Sequence, residues 1–289
     1  MGKYSVIGGD MRCRYMAEYL GKMGNTVKCL YVQGINSSME NIEIINNIHE
    51  ADGVLVLPVP VSKDGENIFN NMNEEAQNCN IRIEDIINIL PNVEAVCGGV
   101  IPASITKACK QQHITCYDYM KDDDVACKNA VATAEGAILE AFALSNINID
   151  GSNSLVTGYG RCAKALAARL KAWNSNVTIM ARTREACEEA EAVGYRSILL
   201  NSKEMNYYAG WKKFDFCYNT IPAFVLDHHI LSRFSKQIVV IDIASKPGGT
   251  DFDYCEQEGI RFKHSLGIPG RYSPETSGKI LAEAILGKY

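Results

Sequence analysis

Gly158, Gly160 and Ala163 stand in the pattern G-x-G-x-x-G/A, and the residues on either side give that pattern the setting it needs. Ahead of it lies Leu155 to Thr157, opened by the polar Ser152-Asn153-Ser154. Behind it, Cys162 to Trp173 is rich in Ala, Leu, Arg and Lys, with apolar residues at helical spacing. A strand, a glycine turn and a helix in this order suit one kind of ligand. Gly158 permits the tight turn, Gly160 lets the backbone approach a pyrophosphate, and Ala163 keeps the helix close to the sheet. N–H groups at the helix start then face the phosphates, with Tyr159, Arg161 and Cys162 flanking them. The alternative is a glycine-rich turn that binds nothing.

The next strand, Val177 to Met180, ends in Ala181-Arg182-Thr183-Arg184, and no acid appears until Glu185. An NAD site wants a carboxylate about 20 residues after the glycine turn, to hold the ribose hydroxyls. Here Arg182 can lie over the adenine and bond a 2′-phosphate, Thr183 can donate its hydroxyl, and Arg184 adds charge. A guanidinium suits phosphate because its planar fork makes paired, charge-assisted bonds. NADP is the expected cofactor, with NAD possible. The alternative is a solvated basic corner, where two cations at a helix start are unfavourable without an anion.

The nicotinamide end should lie at the C-terminal edge of the sheet, where open α/β sheets gather ligand contacts. Asn219, Thr220, Ile221 and Pro222 follow one strand there, and Asp242, Ala244, Ser245 and Lys246 follow another. Asn219 could touch the nicotinamide ribose. Asp242 is a candidate ligand contact that reads equally as a cap or as a loop anchor. His228, His229 and His264 lack neighbours in sequence that would orient a catalytic imidazole, so no catalytic residue is assigned.

The first half opens in an echo of the second, VIGGDMRCRYMAEYL against LVTGYGRCAKALAARL. Asp10 occupies the place of the second glycine, and a carboxylate there opposes a pyrophosphate. The dinucleotide is therefore assigned to the second half and an anionic substrate to the first. Arg12, in the turn after the first strand, is the expected carboxylate clamp, with N–H donors from Gly8 and Gly9. Alternatively, Arg12 merely neutralises Asp10. On the helix between the halves, Asn129 and Thr133 share a face and Glu135 points elsewhere. Lys246 and Arg271 are further cations for the substrate.

Composition narrows the classes. With 289 residues, 47% hydrophobic content and no run of 18 apolar residues, the chain reads as two soluble α/β domains. A net charge of -5 argues against nucleic acid. No secretory signal pattern is visible, so a cytoplasmic location is expected. The 11 cysteines make no C-x-x-C and no zinc spacing, so neither metal nor disulfide framework is expected. Cys127 and Cys162 are the two thiols that could face a ligand.

Strand and helix patterns alternate throughout. In the first half Tyr4 to Ile7, Val27 to Tyr31, Gly53 to Leu57, Ala95 to Cys97 and Ile114 to Tyr117 read as strands. Arg12 to Met23, Ile42 to Ile48, Ile83 to Leu90 and Ala103 to Gln111 read as helices. Asn67 to Asn80 reads as a polar surface excursion. A long helix capped by Asp124 runs to about Leu144. Phe214 to Tyr218, Ile238 to Ile243 and Ile260 to Lys263 are later strands, and Glu275 to Leu286 is an amphipathic closing helix. The expectation is α/β: two Rossmann-like three-layer domains with mostly parallel sheets, joined by a long linker helix. The bounds are a substrate or partner domain at 1–125, the linker at 126–150 and the nucleotide domain at 151–272. A C-terminal helix at 273–289 then docks on the first domain.

Longer motifs carry a resemblance. They are VIGGDMRCRYMAEYL at 6–20, VLPVPVS at 56–62, AVATAEGAIL at 130–139, TGYGRCAKALA at 157–167, VTIMARTR at 177–184, YNTIPAFVL at 218–226, DIASKPGGTDF at 242–252 and GIPGRYSPETSGKILA at 267–282. Together they cover nearly the whole chain, which resembles the family of dipicolinate synthase A subunits. The architecture is also similar to that of alanine dehydrogenase, adenosylhomocysteinase and the 2-hydroxyacid dehydrogenases. The resemblance implies hydride transfer to a nicotinamide dinucleotide, turning dihydrodipicolinate, or its hydroxy-tetrahydro precursor, into dipicolinate. It further implies a homo-oligomer, action in the mother cell during sporulation, and a partner in the separately encoded dipicolinate synthase B subunit. The substrate, a dicarboxylate, is expected in a cleft between the domains. Other readings are an NADP-linked amino- or hydroxy-acid dehydrogenase, and a non-catalytic dinucleotide-binding subunit supporting a partner.

Overall fold

The structure is a computed structural model that describes residues 1–36, 38–71 and 80–289. It divides into two compact units, Met1–Lys128 with Gly270–Tyr289, and Asn129–Pro269.

The first unit contains β1 (Lys3–Ile7), α1 (Met11–Lys22), β2 (Thr26–Leu30), β3 (Ile42–Ile44), β4 (Gly53–Val56), α2 (Ile83–Ile89), β5 (Val93–Gly98), α3 (Ala103–Gln111) and β6 (Thr115–Asp118). The strands form one parallel sheet in the order β3-β2-β1-β4-β5-β6. Both faces are covered, so strands that point side chains alternately up and down must be apolar on both. Tyr4, Val6, Val54 and Val56 enter one core cluster, while Ile7, Leu55 and Leu57 enter the other.

A long helix, α4 (Asp123–Leu144), follows; its residues up to Lys128 belong to this unit and those from Asn129 to the second. Asp122 caps it, accepting from the Asp124 N–H at 3.0 Å, so the expected cap at Asp124 is displaced by two residues.

The second unit follows with β7 (Asn153–Thr157), α5 (Arg161–Ala172), β8 (Asn176–Ala181), α6 (Arg184–Ala192), β9 (Arg196–Leu199), α7 (Lys203–Tyr207), β10 (Phe216–Asn219), α8 (His228–Leu231), β11 (Val239–Asp242), α9 (Phe252–Glu258) and β12 (Arg261–His264). Its sheet runs β12-β11-β10-β7-β8-β9, again all parallel. Val156, Ile179, Tyr218 and Ile241 pack on one face with Ala134, Ala137, Ile138 and Ala141 of α4, and Leu155, Met180, Cys217 and Val240 pack on the other. Each sheet has the strand order of a dinucleotide-binding domain, with the reversal beside its first strand.

Two short elements close the chain, α10 (Ile268–Tyr272) and α11 (Pro274–Leu286). Within the first unit α11 lies against α1 at very short range. A side chain at Gly278 would come within 2.6 Å of the Arg12 carbonyl oxygen. Leu281, Ala282 and Ile285 are buried in the same cluster as Met16 and Leu20.

Two local expectations are corrected. Ile42 to Ile48 is not a helix: Ile42–Ile44 is the edge strand β3, and a single 3-10 turn follows at Ile48–Glu50. Isoleucines at 42, 44, 45 and 48 fit either period over so short a run, and pairing with β2 decides the outcome. Nor is all of Asn67 to Asn80 a surface excursion. Ile68 is buried, the Phe69 N–H donates to Val61 O at 2.8 Å, and Asn70 bridges to Gly9. Residues 72–79 of that segment lie outside the described residues.

Candidate functional site: the glycine turn at the sheet reversal of the second unit

The chain leaves β7 at Thr157 and turns at Gly158, whose φ of +89° is a conformation side chains resist. There is no room either. A Cβ on Gly158 would sit 2.6 Å from Thr220 Oγ1 and 3.1 Å from Ile221 Cγ1. The loop after β10 therefore presses directly on the turn, and Thr220 fixes it by donating to Thr157 O at 2.8 Å.

Gly160 is the opposite case. It is the N-cap of α5, supplies no side-chain cap, and has nothing within 4 Å of where a Cβ would be. Arg161 is exposed and Cys162 half-buried at the helix start, while Ala163 is fully buried against the sheet. An uncapped helix N-terminus beside open space has the donors and the room that a diphosphate requires.

Arg182, Thr183 and Arg184 lie exposed where β8 ends. The Arg182 side chain makes no ion pair or hydrogen bond among the described residues. Thr183 caps α6, its Oγ1 accepting from the Ala186 N–H at 3.3 Å, which leaves its own hydroxyl hydrogen to donate. Arg184 Nη2 is 3.6 Å from Glu204 Oε2, so part of its charge is already met.

Asn219 and Asp242 are turned towards the protein's own loops. Both are completely buried, and their hydrogen-bonding groups are spent on the loops around them. Asn219 Nδ2 donates to Asp242 Oδ2 at 2.9 Å and to Ile221 O at 3.1 Å. Its Oδ1 accepts from the Thr157 hydroxyl and, at 3.1 Å, from the Ile221 N–H. Asp242 accepts from Ala244 N–H at 2.9 Å, Gly249 N–H at 2.8 Å and the Thr250 hydroxyl at 2.7 Å. Of the readings of Asp242, the structure has the loop anchor. A buried carboxylate holding four donors fixes where the 220–222 and 244–249 loops run.

Sequence reasoning missed Thr157, Gly249 and Thr250 in this network. A Cβ on Gly249 would be 2.4 Å from Ala223 O and 2.5 Å from Ile221 O, so the second glycine of Lys246-Pro247-Gly248-Gly249 is the available signal. His264 also has an orienter that lies far off in sequence. Its Nε2 is 2.9 Å from Ala244 O, and its ring stacks on Phe252 at 5.1 Å. His228 and His229 are exposed.

The corresponding turn of the first unit is filled by its own chain, and this corrects the expected substrate clamp. Arg12 belongs to α1, not to the turn before it. Its Nε and Nη2 donate to Asp10 at 2.9 and 2.8 Å, and Nη2 also donates to Val59 O at 2.5 Å. Burial alone would lower the Arg12 pKa, but the hydrogen bond and charge of Asp10 outweigh it and hold the guanidinium above its ordinary value. Gly270 closes over the pair, since a Cβ there would lie 2.3 Å from Asp10 Oδ2. Nor are the glycine donors available. The Gly8 N–H donates to Leu30 O and the Gly9 N–H to Phe69 O, each at 2.8 Å. Arg12 therefore neutralises Asp10, and neither it nor Gly8 and Gly9 is placed to grip a substrate.

The remaining substrate candidates are scattered in character. Glu135 is exposed and pairs with Arg169 at 3.2 Å. Thr133 Oγ1 donates to Asn129 O at 3.0 Å, within α4. Asn129 is buried and its Oδ1 accepts no hydrogen bond. Lys246 is exposed on the loop after β11, and Arg271 is exposed with its guanidinium 5.2 Å over the Tyr272 ring. Among the described residues no group of His, Cys, Asp and Glu is arranged to hold a metal, and no helix is long and apolar enough to cross a membrane.

Comparison with known proteins agrees with this architecture from end to end. Residues 3–120 match the family model of the N-terminal domain of the dipicolinate synthase A subunit. The dipicolinate synthase A subunit of Bacillus subtilis (strain 168) is 28% identical over 291 residues, 98% of this chain and 94% of that protein. The crystal structure of the dipicolinate synthase A subunit from Bacillus halodurans superposes with a TM-score of 0.84 at 27% identity, covering 100% of this chain and 98% of that one. Along its whole length the chain is similar to dipicolinate synthase A subunits. An L-alanine dehydrogenase shares the fold, with a TM-score of 0.63 at 11% identity over 99% of this chain and 88% of that one. The relatives are designated A subunits, which implies a second, different subunit.

Proposed function

We propose that this protein is an oxidoreductase subunit that binds NADP on its second unit. With the separately encoded dipicolinate synthase B subunit, it converts dihydrodipicolinate, or its hydroxy-tetrahydro precursor, to dipicolinate. The observation that carries the reading is the contrast between two glycine turns on sheets of the same strand order. At Gly160 the helix start has open space beside it and no side-chain cap, and the turn at Gly8 and Gly9 is plugged by Asp10, Arg12 and Asn70.

In this reading the start of α5 holds the diphosphate, and Arg182, with Thr183 and Arg184, holds the 2′-phosphate. The loops at 220–222 and 244–246, fixed by Asn219 and Asp242, position the nicotinamide ring. Bound NADP supplies a two-electron hydride acceptor. The protein's share is to hold a ring carbon of the substrate against that acceptor, since aromatisation itself drives the transfer. Lys246, exposed on the loop after β11, is the cation this unit offers to a substrate carboxylate.

Calorimetry with each cofactor tests the assignment. Wild type should prefer NADP. Arg182→Ala should weaken NADP by about tenfold or more and leave NAD nearly unchanged, because a charge-assisted bond contributes roughly 1.5–3 kcal/mol. Equal wild-type affinities would refute the 2′-phosphate site. Following reduced cofactor by absorbance, with and without the B subunit, then separates a dehydrogenase from a protein that only binds the nucleotide.

A further inference from the structure

The helix α4 is apolar on more sides than the core of the second unit covers. Ala134, Ala137, Ile138 and Ala141 pack into the core cluster on the sheet. Val131, Glu135, Leu139 and Phe142 follow at intervals of four, four and three residues, which sets them in a stripe along one side of the helix. Leu139 is 52% exposed and Phe142 47%. A helix with one face to solvent carries polar residues there, yet Glu135 is the one charged member of this stripe.

Trp173, the C-cap of α5, is 53% exposed and continues the patch. Two hollows adjoin it. One, of about 490 Å³, is lined by Glu135, Ile138, Leu139 and Arg169 together with Phe142 and Trp173. The other, of about 410 Å³, extends from the same two rings to Asp150 and Asn174. Phe142 and Trp173 line both, so they form a ridge between them. Single exposed apolar side chains are ordinary, whereas a contiguous patch with a polar rim marks an interaction surface.

We propose that this face of α4 and α5 binds a second copy of the chain about a two-fold axis. An interface of that symmetry must be complementary to itself. The face has both halves of the shape, a ridge and the hollows beside it. It also has both halves of the charge, since Glu135 and Arg169 lie 3.2 Å apart at the larger hollow. A two-fold rotation sets the ridge of each copy in a hollow of the other and lays carboxylate against guanidinium twice. A different partner would call for only one half of each. The area is suitable too. Phe142, Trp173 and Leu139 expose roughly 300 Å² of apolar surface between them, a central patch for the roughly 800 Å² that a standard interface takes from each partner.

Sedimentation velocity of the full chain at micromolar concentration tests this. Wild type should run as a dimer, at twice the 31.8 kDa of one chain. Leu139→Glu, and Trp173→Lys on the other helix, should each weaken association by about a hundredfold or more, because both copies then bury an unpaired charge. Each of these positions is more than half exposed, so the monomer should keep its fold and its circular dichroism. Tyr207→Glu, at an exposed site on α7, which packs on the opposite face of the sheet, should remain dimeric. A monomeric wild type overturns the proposal, as does a dimer that survives both substitutions or one that Tyr207→Glu dissociates equally. A wild type that is monomeric alone, binds purified dipicolinate synthase B subunit and loses it in Leu139→Glu gives the face to that subunit instead.

Discussion

The two glycines of the open turn serve different ends, and exchanging each for alanine separates them. At Gly158 the methyl group would enter space held by Thr220 Oγ1, 2.6 Å away, on a backbone with φ of +89°. Thr220 cannot swing aside without losing its 2.8 Å bond to Thr157 O. Strain at such a φ costs about 1–3 kcal/mol, and the lost hydrogen bond about 1 kcal/mol more. For a unit spanning Asn129–Pro269 the sum corresponds to a fall in melting temperature of roughly 10 °C. At Gly160 nothing lies within 4 Å of the added methyl, so the ligand-free protein loses only the difference between glycine and alanine as a cap, less than about 1 kcal/mol. Nucleotide affinity is where Gly160 matters. A methyl there holds the diphosphate off the helix start, and losing one charge-assisted bond weakens binding by roughly tenfold or more. Gly160→Asp adds a repelling charge and should weaken it further. Thermal unfolding without ligand, followed by calorimetry with NADP, reads both effects. A Gly158→Ala protein as stable as wild type would refute the packing argument, and unchanged affinity in Gly160→Asp would refute the ligand site.

Three further outcomes are expected. Arg12→Ala leaves the partly buried Asp10 carboxylate without its partner, so stability should fall by about 3 kcal/mol in urea unfolding while NADP affinity stays at the wild-type value; retained stability with a raised substrate KM would restore Arg12 as a clamp. Asp242→Ala strands the donors of Ala244, Gly249 and Thr250 at about 1–3 kcal/mol each. Its total cost should exceed about 3 kcal/mol, and a loss under about 1 kcal/mol would show the loops to be held by something else. The thiols of Cys13, Cys29 and Cys97 are each pushed up to about 12, chiefly by burial. An unfolded thiol titrates near about 8.5, so above that pH the unfolded chain has shed protons the native one retains. This contribution is complete below about pH 8.5 and declines as pH rises towards about 12; a urea midpoint that holds or climbs between about pH 8 and 10 contradicts it.

What the sequence disclosed depended on distance along the chain. The turn at Gly158 and Gly160 and the following helix are local, and spacing alone defined them. The strand Gly53 to Leu57 carried a near-continuous apolar run, as a strand covered on both faces must, and Tyr4 to Ile7 breaks its own only at the buried Ser5. Arg196–Leu199 carried no such run, because the edge strand β9 mixes an arginine and a serine with its apolar residues. The roles of Asn219 and Asp242 depended on partners the pattern could not show: Thr157 lies 62 residues before Asn219, and Asp242 lies 23 after it. Either residue, seen only as a polar group at a strand end, resembles a ligand contact. Arg12 misled for a related reason. Its partners are Asp10, two residues away, and Val59, which the fold alone brings near.

The first unit keeps the strand order of a nucleotide-binding domain while supplying its own anion, so its binding position is permanently saturated from within. Asp10 stands where a phosphate would, Arg12 neutralises it, and no external molecule is needed to complete the charge balance. Its resistance to heat is thus a fixed property of the polypeptide. The second unit has at Gly160 a helix start without a side-chain cap, and on the proposed reading its resistance to heat rises with the concentration of dinucleotide around it. Ligand added to the chain should therefore act as a selective thermostat. Amide exchange should slow across β7–β11 in proportion to the logarithm of ligand concentration, and the cores around β1 and β4 should exchange at the rate they had before.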